Sequence, residues 1–498
     1  MRPPRGTATP SKGPIPVEAR DGRQPLRQRL FSPVDAASTS FLRLVVGVIL
    51  VCECVRFHVY GWIDTYFVLP TIRFGYFGFD WLQPLPGDGM HLVFLGIAAS
   101  AAAVTLGYRY RTAIALLATG WTYVNLLDQS TYLNHAYLLS LACVLLAVLP
   151  APLDWSLDAR RRAQRGPHTT PAWSLWLLRF QIAVPYVFGG ISKLDSDWLH
   201  GQPLQVWMSR MTHLHERVPA FGEPWLATLF SYGGLVFDLA VVPALLCRRT
   251  RVAAFAVALA FHGLNAAMFH IGVFPWLMMF ATTIFFEPGW PRSVLRWASG
   301  NKSTPAGIPL ATESPAPPVR NQPWILIGIA TWIVVQILIP FRHLLYPGDV
   351  AWTDEGSKFA WRMMLFDKVT ALRITATNLA DGTARPIDPR DLLTPKQLER
   401  MSTNPELLAL FCRHVGDTLR RAGHPQAEIH VLALCSLNFR RPQLLVDPAV
   451  DLSRVSRSIR PQTWIVPLRE PLREQPWLVP MSQWERQILG RVPSPPEQ

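Results

Sequence analysis

Charge is what this chain has least of. Only 16% of its 498 residues are Asp, Glu, Lys or Arg, whereas a soluble domain carries about 25%. Half of the residues are apolar, and with so little charge this points to a membrane protein. Acid is the scarcer sign, with 34 acidic against 48 basic side chains and a net charge of +14. In a soluble chain that excess would point to nucleic acid. Here the basic residues fall mostly in the N-terminal tail and in short loops between apolar runs, so membrane topology accounts for many of them and no nucleic-acid partner is expected.

Metal and disulfide signatures are also missing. The six cysteines are Cys52, Cys54, Cys143, Cys247, Cys412 and Cys435. None forms a CxxC pair, and four lie in or beside apolar runs, so neither a zinc site nor a disulfide framework is legible. Cys412 and Cys435 are candidates to pair only if their domain meets an oxidising compartment. There is no HExxH. The histidine groupings are His213-x-His215 and His262 with His270, and no metal is expected. The first apolar run lacks an A-x-A exit and reads as an uncleaved spanning helix. No repeat at solenoid spacing is present.

What the chain does have is long apolar runs and 19 tryptophans, a residue that favours membrane interfaces. A spanning helix needs about 20 mostly apolar residues. Candidate runs are 41–58, 89–106, 112–127, 134–150, 173–192, 225–247, 252–270, 271–287 and 323–341. The 252–286 stretch is too long for one span, and Gly272 and Pro275 predict a tight hairpin within it. The expected fold is therefore all-α in the membrane, with about nine transmembrane helices and a small α+β extramembrane C-terminal domain. Residues 1–35 read as a disordered basic arm, residues 36–341 as the polytopic domain with an inside linker at 288–322, and residues 342–498 as the soluble domain. In the last, Ala371–Thr377 alternates like a strand, His430–Leu437 reads as a second strand, Asp381-Gly382 is a turn signal, and 394–421 reads as helical.

Orientation follows from the positive charges in short loops. The arm, Arg109 and Arg111, Arg160 to Arg162 with Arg165, and Arg248, Arg249 and Arg251 all fall on one side if there are nine spans. The N-terminus is then inside and the C-terminal domain outside, as expected of a protein of the bacterial cytoplasmic membrane.

Ionisable groups within apolar spans are costly and are functional candidates by default. Asn134-His135 opens the fourth run, Lys193 closes the fifth, Asp238 lies within the sixth, and His262 with Asn265 lies in the seventh. His262 falls about 15 Å into its helix. With nine spans, His135 and Lys193 sit at outer helix ends, so these groups are able to line one cavity opening outward. Plain structural readings stand beside the functional ones. Lys193 at a helix end can snorkel to the interface, His135 can cap a helix, and His262 with Asn265, which share a helix face, can bond between helices. Asp238 reads best as a structural bond to a neighbouring helix.

At these residues the sequence resembles the vitamin K-dependent gamma-carboxylases, whose bacterial members are often called horizontally transferred transmembrane domain proteins. The resemblance is carried by Leu126-Leu-Asp128 through Asn134-His135-x-Tyr137-Leu138. It continues in Tyr186 through Gly201, which contains G-x-x-K-L-D-x-D-W-x-x-G, and in Phe261-His262-x-x-Asn265 through Gly272-x-Phe274 and Glu287-Pro-x-Trp290-Pro291. Pro340 through Met364 follows, with His343, Trp352, Gly356, Trp361 and Met363-Met364. Ser436-Leu-Asn438-Phe-Arg440 with Asp447-Pro448 is a weaker match. The matches are collinear over about residues 38 to 468, and the K-L-D-x-D-W segment is the specific one. The long C-terminal extension of the animal enzymes has no counterpart here, so propeptide-guided docking is not carried over.

The resemblance implies an enzyme that couples epoxidation of reduced vitamin K (phylloquinol or menaquinol type) by O2 to gamma-carboxylation of a protein glutamate with CO2, without a metal. By the same resemblance Lys193 is the base that deprotonates the hydroquinone, His135 is the histidine implicated in carboxylation, and His262 shares the cavity. Asn265, His343 and Arg440 are candidates for substrate contact. The implied partners are membrane lipid, quinone and a glutamate-containing protein or peptide. A lysine acts as a base only when neutral, which an apolar setting favours; Asp195 and Asp197 oppose it unless they pair elsewhere. Two other readings remain: a non-catalytic or transport protein that reuses the fold, and a quinone epoxidase without carboxylation.

Overall fold

The structure is a computed structural model that describes residues 25–151, 154–161, 168–211, 216, 218–269, 271–300, 322–378, 382–473 and 475–490. Most of the expected basic arm (1–24), Arg162, Arg165, His213, His215, His270, Asp381 and most of the expected linker (301–321) lie outside the described residues. The rest of the expected arm is structured. Helix α1 (Leu26–Phe31) buries Phe31, and strand β1 (Pro33–Asp35) pairs antiparallel with β2 (Thr169–Pro171). A low apolar content concealed these elements, because one buried phenylalanine and a short backbone ladder hold them.

All nine apolar runs fold as helices. They are α2 (Ala37–Val59), α3 (Gly89–Leu106), α4 (Tyr110–Leu126), α5 (Asn134–Val148), α7 (Ala172–Ser192), α10 (Pro224–Leu246), α11 (Arg251–Met268), α12 (Phe274–Ala281) and α14 (Gln322–Phe341). Among the described residues six of these, α2, α3, α7, α10, α11 and α14, are long and apolar enough to cross a membrane, rather than the nine expected. Helix α5, for example, has 15 residues. At 1.5 Å per residue it rises about 22 Å, short of a hydrocarbon core of about 30 Å. The expected hairpin is present: α11 ends at Met268, Gly272 has φ 63°, and Pro275 lies in the first turn of α12. Short helices α6 (Leu157–Arg161), α8 (Ser196–Leu199), α9 (Leu204–Ser209) and α13 (Trp290–Ala298) lie between the long ones, the last within the expected linker.

The apolar surface points outward as well as inward. Helices α11 and α14 are apolar along their length, yet α11 buries only Ala254, Ala258 and His262 in the protein and α14 only Gln336 and Pro340. Water would not stabilise such a surface, and lipid does.

One end of the helical layer gathers the basic loops. Arg43 donates to the carbonyls of Val104 and Asp154, Arg292 bridges Asp35 and Asp154, Asp158 accepts from the backbone of Arg109 and Tyr110, and Arg251 pairs with Glu287. The other end carries the C-terminal domain. Its sheet has the order β4-β3-β5-β6, antiparallel throughout, from β3 (Lys368–Asn378), β4 (Thr383–Ile387), β5 (Ala427–Leu437) and β6 (Gln443–Leu444). The expected helical stretch is two helices, α16 (Pro395–Thr403) and α17 (Pro405–Arg421), broken where Asn404 caps the second one ahead of Pro405. A short helix α15 (Val350–Thr353) precedes the sheet, and α18 (Trp484–Leu489) follows it. Ile374, Phe411, Ile429 and Val431 form the sheet-helix core, with Cys412 and Cys435 buried there as free thiols.

Polar contacts bind the domain to the loops of the helical layer. Gln397 donates to the Ile72 carbonyl at 2.8 Å and to Asp128 at 3.1 Å. Arg457 meets Asp80 at 2.6 Å, and the Trp207 indole donates to Asp367 at 2.9 Å. The largest set centres on Asp197, described next.

Candidate active site

Helix α7 ends at Ser192, so Lys193 is its C-cap. Its side chain turns inward and is only 7% exposed, which removes the snorkelling alternative. The ammonium donates to Asp238 Oδ2 on α10 at 2.6 Å and lies 5.2 Å from the centre of the Trp198 ring. Asp238, read from sequence as a structural bond, is therefore the direct partner of the candidate base. The approach depends on Gly189 and Gly190. A Cβ on Gly190 would come within 2.7 Å of Leu239 Cδ2 and 3.2 Å of Asp238 Cβ, so the pair lets α10 pack closely against α7.

The two aspartates of the K-L-D-x-D-W segment point elsewhere. Asp195 caps α8 by accepting from the Asp197 backbone at 3.0 Å. Asp197 accepts from Arg440 at 2.5 Å and 2.7 Å and from Asn438 at 2.6 Å. Burial alone would raise the Asp197 carboxyl, but the hydrogen bonds from Arg440 and Asn438 and the Arg440 charge outweigh it, holding it below the usual carboxylate range. The physical objection to a neutral lysine thus moves from Asp195 and Asp197 to Asp238.

Lys193 lines a cavity of about 960 Å³ between the helical layer and the C-terminal domain. His135, His262 and Asn265 line it too. His262 is buried, with Nε2 2.8 Å from the Tyr186 hydroxyl, which lies 2.9 Å from Thr282 Oγ1. Asn265 donates to the Phe261 carbonyl at 2.9 Å, within its own helix. Phe274 stands between the two histidines, its ring 6.2 Å from His135 and 6.3 Å from His262. Gly272 lets the hairpin turn pass close beside His135: a Cβ there would lie 3.3 Å from Arg56 Nη1 and 3.8 Å from His135 Nε2. Aromatic side chains of Phe57, Trp62, Tyr66, Phe237 and Phe261 supply apolar wall.

Two expected substrate contacts lie elsewhere. Arg440 is buried and holds Asp197 and the carbonyls of Glu470 and Leu437, so it joins the two parts of the fold and does not line the cavity. His343 bonds the Pro340 carbonyl at 2.8 Å and is also not in the lining. Sequence reasoning missed Glu53 and Arg56, an ion pair on α2 that lines the cavity beside His135. The signal was present, since both are ionisable, three apart and within the first apolar run. No cluster of three or more metal-ligating groups occurs among the described residues.

These features define a class: a polytopic helical membrane protein with a buried lysine-carboxylate pair and histidines in one cavity beneath an α+β domain. Sequence models of two families match it. The HTTM domain matches residues 31–290, and the lumenal domain of vitamin K-dependent gamma-carboxylase matches residues 321–471. The chain belongs to the HTTM family in its vitamin K-dependent gamma-carboxylase-like form. No solved structure matches it.

Proposed function

We propose that the protein is a membrane enzyme that oxidises a reduced vitamin K-type quinone with O2 to its epoxide and couples this to gamma-carboxylation of glutamyl residues in a protein or peptide. The observation that carries the reading is the placement of Lys193. It closes a helix, is buried, and faces an apolar, aromatic-walled cavity shared with His135 and His262. A volume of about 960 Å³ suits a ring system with part of its side chain, and Trp62, Phe237, Phe261 and Phe274 would hold it.

In balance, hydroquinone and O2 give epoxide and water, while a glutamyl γ-C–H and CO2 give a γ-carboxylate and a proton. When bound, the reduced quinone with O2 supplies the strong base that the γ-proton requires. Lys193 Nζ takes the hydroquinone proton, and Asp238, 2.6 Å away, orients the amine and receives its proton. His135, beside Arg56, handles the proton at the carboxylation step. His262, fixed through Tyr186 to Thr282, and Asn265 shape the wall. The quinone comes from the bilayer and the glutamyl segment from the outer aqueous side. The gathering of basic loops at one end and the C-terminal domain at the other supports an orientation with the N-terminus inside and that domain outside the cytoplasmic membrane.

One observation favours a narrower reading, an epoxidase without carboxylation: Arg440, the expected carboxylate contact, is taken by Asp197. The test begins with epoxide. Detergent-purified protein is given chemically reduced vitamin K or menaquinone and O2, with Lys193→Ala in parallel. Epoxide from wild type alone supports the base assignment, and uptake of labelled CO2 into glutamyl peptides then separates the two readings. No epoxide from folded wild type with either quinone overturns both.

A further inference from the structure

The segment after α15 has an unusual backbone. Asp354 (φ 59°), Phe359 (φ 61°), Trp361 (φ 59°) and Met364 (φ 54°) all lie in the left-handed region. Side chains rarely adopt it, and such strain persists only where the surroundings over-determine it. They do so here. The Phe359 N–H donates to the Tyr132 hydroxyl at 2.9 Å, Trp361 is fully buried with its ring 5.0 Å from Tyr137, and Asp354 pairs with Lys368. The contortion seats Trp361 in the helical layer and places Arg362 in the cavity wall.

Arg362 differs from the other cations of that wall. Lys193 pairs with Asp238, Arg56 with Glu53, Lys358 with Glu406 and Lys396 with Glu399, while Arg400 is exposed. Arg362 makes no hydrogen bond or ion pair among the described residues, and its Nε is buried without a partner. Its charge feels the carboxylates of Asp195, Asp349 and Asp354, but none of them reaches it with a hydrogen bond or an ion pair. Asp195 caps α8, Asp349 accepts from the Ala351 backbone at 2.7 Å, and Asp354 holds Lys368. A half-buried guanidinium left unpaired at a cavity wall is a cost that a ligand carboxylate removes, and its planar fork matches a carboxylate with two parallel bonds.

We propose that Arg362 binds the side-chain carboxylate of the glutamyl substrate, the role that Arg440 is not free to play. The inference rests on the function proposed above, deepens it, and makes Arg362 a specificity-determining residue at the end of the cavity formed by the C-terminal domain.

The test is a binding measurement that needs no quinone. A short fluorescein-labelled peptide with one central glutamate, and its glutamine counterpart, are titrated with detergent-purified protein and followed by anisotropy. Wild type is expected to prefer glutamate by about ten- to a hundredfold, the range of a charge-assisted hydrogen bond. Arg362→Gln is expected to bring the two peptides to within about twofold, and Arg362→Lys to keep an intermediate preference because it retains the charge without the fork. Equal binding of both peptides by wild type, or an undiminished preference in Arg362→Gln, overturns the proposal. If Arg362→Gln does not fold, Arg362→Lys decides, an unchanged preference being fatal. Epoxide assayed in parallel separates the failures. Epoxide without glutamate preference removes the Arg362 role alone, and glutamate preference without epoxide removes the enzyme reading.

Discussion

Asp197 and Arg440 lie 243 positions apart and meet in a two-pronged ion pair, Nη1 to Oδ2 at 2.5 Å and Nη2 to Oδ1 at 2.7 Å. Both side chains are about 8% exposed. Removing one partner of a buried pair leaves the other charge uncompensated and costs about 3–5 kcal/mol. Asp197→Ala and Arg440→Ala are each expected to lower thermal stability in detergent and to open cleavage sites in the C-terminal domain to added protease. The double variant should lose less than the sum, and strict additivity would mean that the pair does not couple the domains.

The same pair sets an acid limit. The folded Asp197 carboxyl lies below its ordinary value, so its contribution is fully present above the unfolded value of about 3.9 and is lost as pH falls through the folded one. Docking should therefore hold from neutral pH down to about pH 4 as far as this group is concerned. In Asp197→Asn that acid-linked loss should be missing. A pH series of protease accessibility on both proteins checks the sign.

At the candidate base, Lys193→Ala should remove epoxide formation, by about 10²- to 10⁴-fold if the lysine acts as a general base. Asp238→Asn should cost some stability, as breaking a buried pair does, and lower the rate with little change in the quinone KM, because Asn has nearly the same shape in the cavity wall and alters only the proton partner. A rise in KM at unchanged kcat would assign Asp238 to binding instead.

Gly190 tests the close approach of α7 and α10. A valine there meets Leu239 and Asp238 Cβ, and overpacking of this kind costs about 1–3 kcal/mol. Gly190→Val should lower both the melting temperature and the epoxide rate. Gly96 on α3, whose Cβ would meet nothing within 4 Å and which lies outside the cavity lining, serves as the control with Gly96→Val, and equal effects at both positions would discount the packing argument.

Tyr186→Phe removes the hydroxyl between His262 and Thr282. A buried polar group left unsatisfied costs about 1–3 kcal/mol. The variant should melt earlier while Lys193→Ala in the same background adds its full effect on epoxide. Failure of the two effects to combine would place Tyr186 in the lysine's own machinery.

Much of this was legible in the sequence. The apolar runs located every long helix of the helical layer, strand-like segments located β3 and β5, and Gly272 with Pro275 marked the hairpin. Hydropathy did not fix helix length, so α4, α5 and α12 read as full spans when they are shorter. Residues that share the cavity were found where polar groups interrupt apolar runs: Lys193, His135, His262 and Asn265. Pairing was not legible. Asp238 lies 45 positions from Lys193, while two aspartates lie within four, so chain proximity pointed to the wrong carboxylates. Arg440 and Arg362 are both arginines near recognisable motifs, and only the fold shows that one is occupied and the other is not.

Asp197 follows Lys193 by four residues, and four residues of chain reach at most about 14 Å. The clasp on the C-terminal domain and the amine in the cavity therefore share one short lever, and a tilt of the domain is transmitted to Nζ. It follows that the halves of this protein are not interchangeable parts: a chimera that takes its C-terminal domain from another chain must keep positions 197 and 440 matched, or the amine will be aimed differently in an otherwise intact cavity.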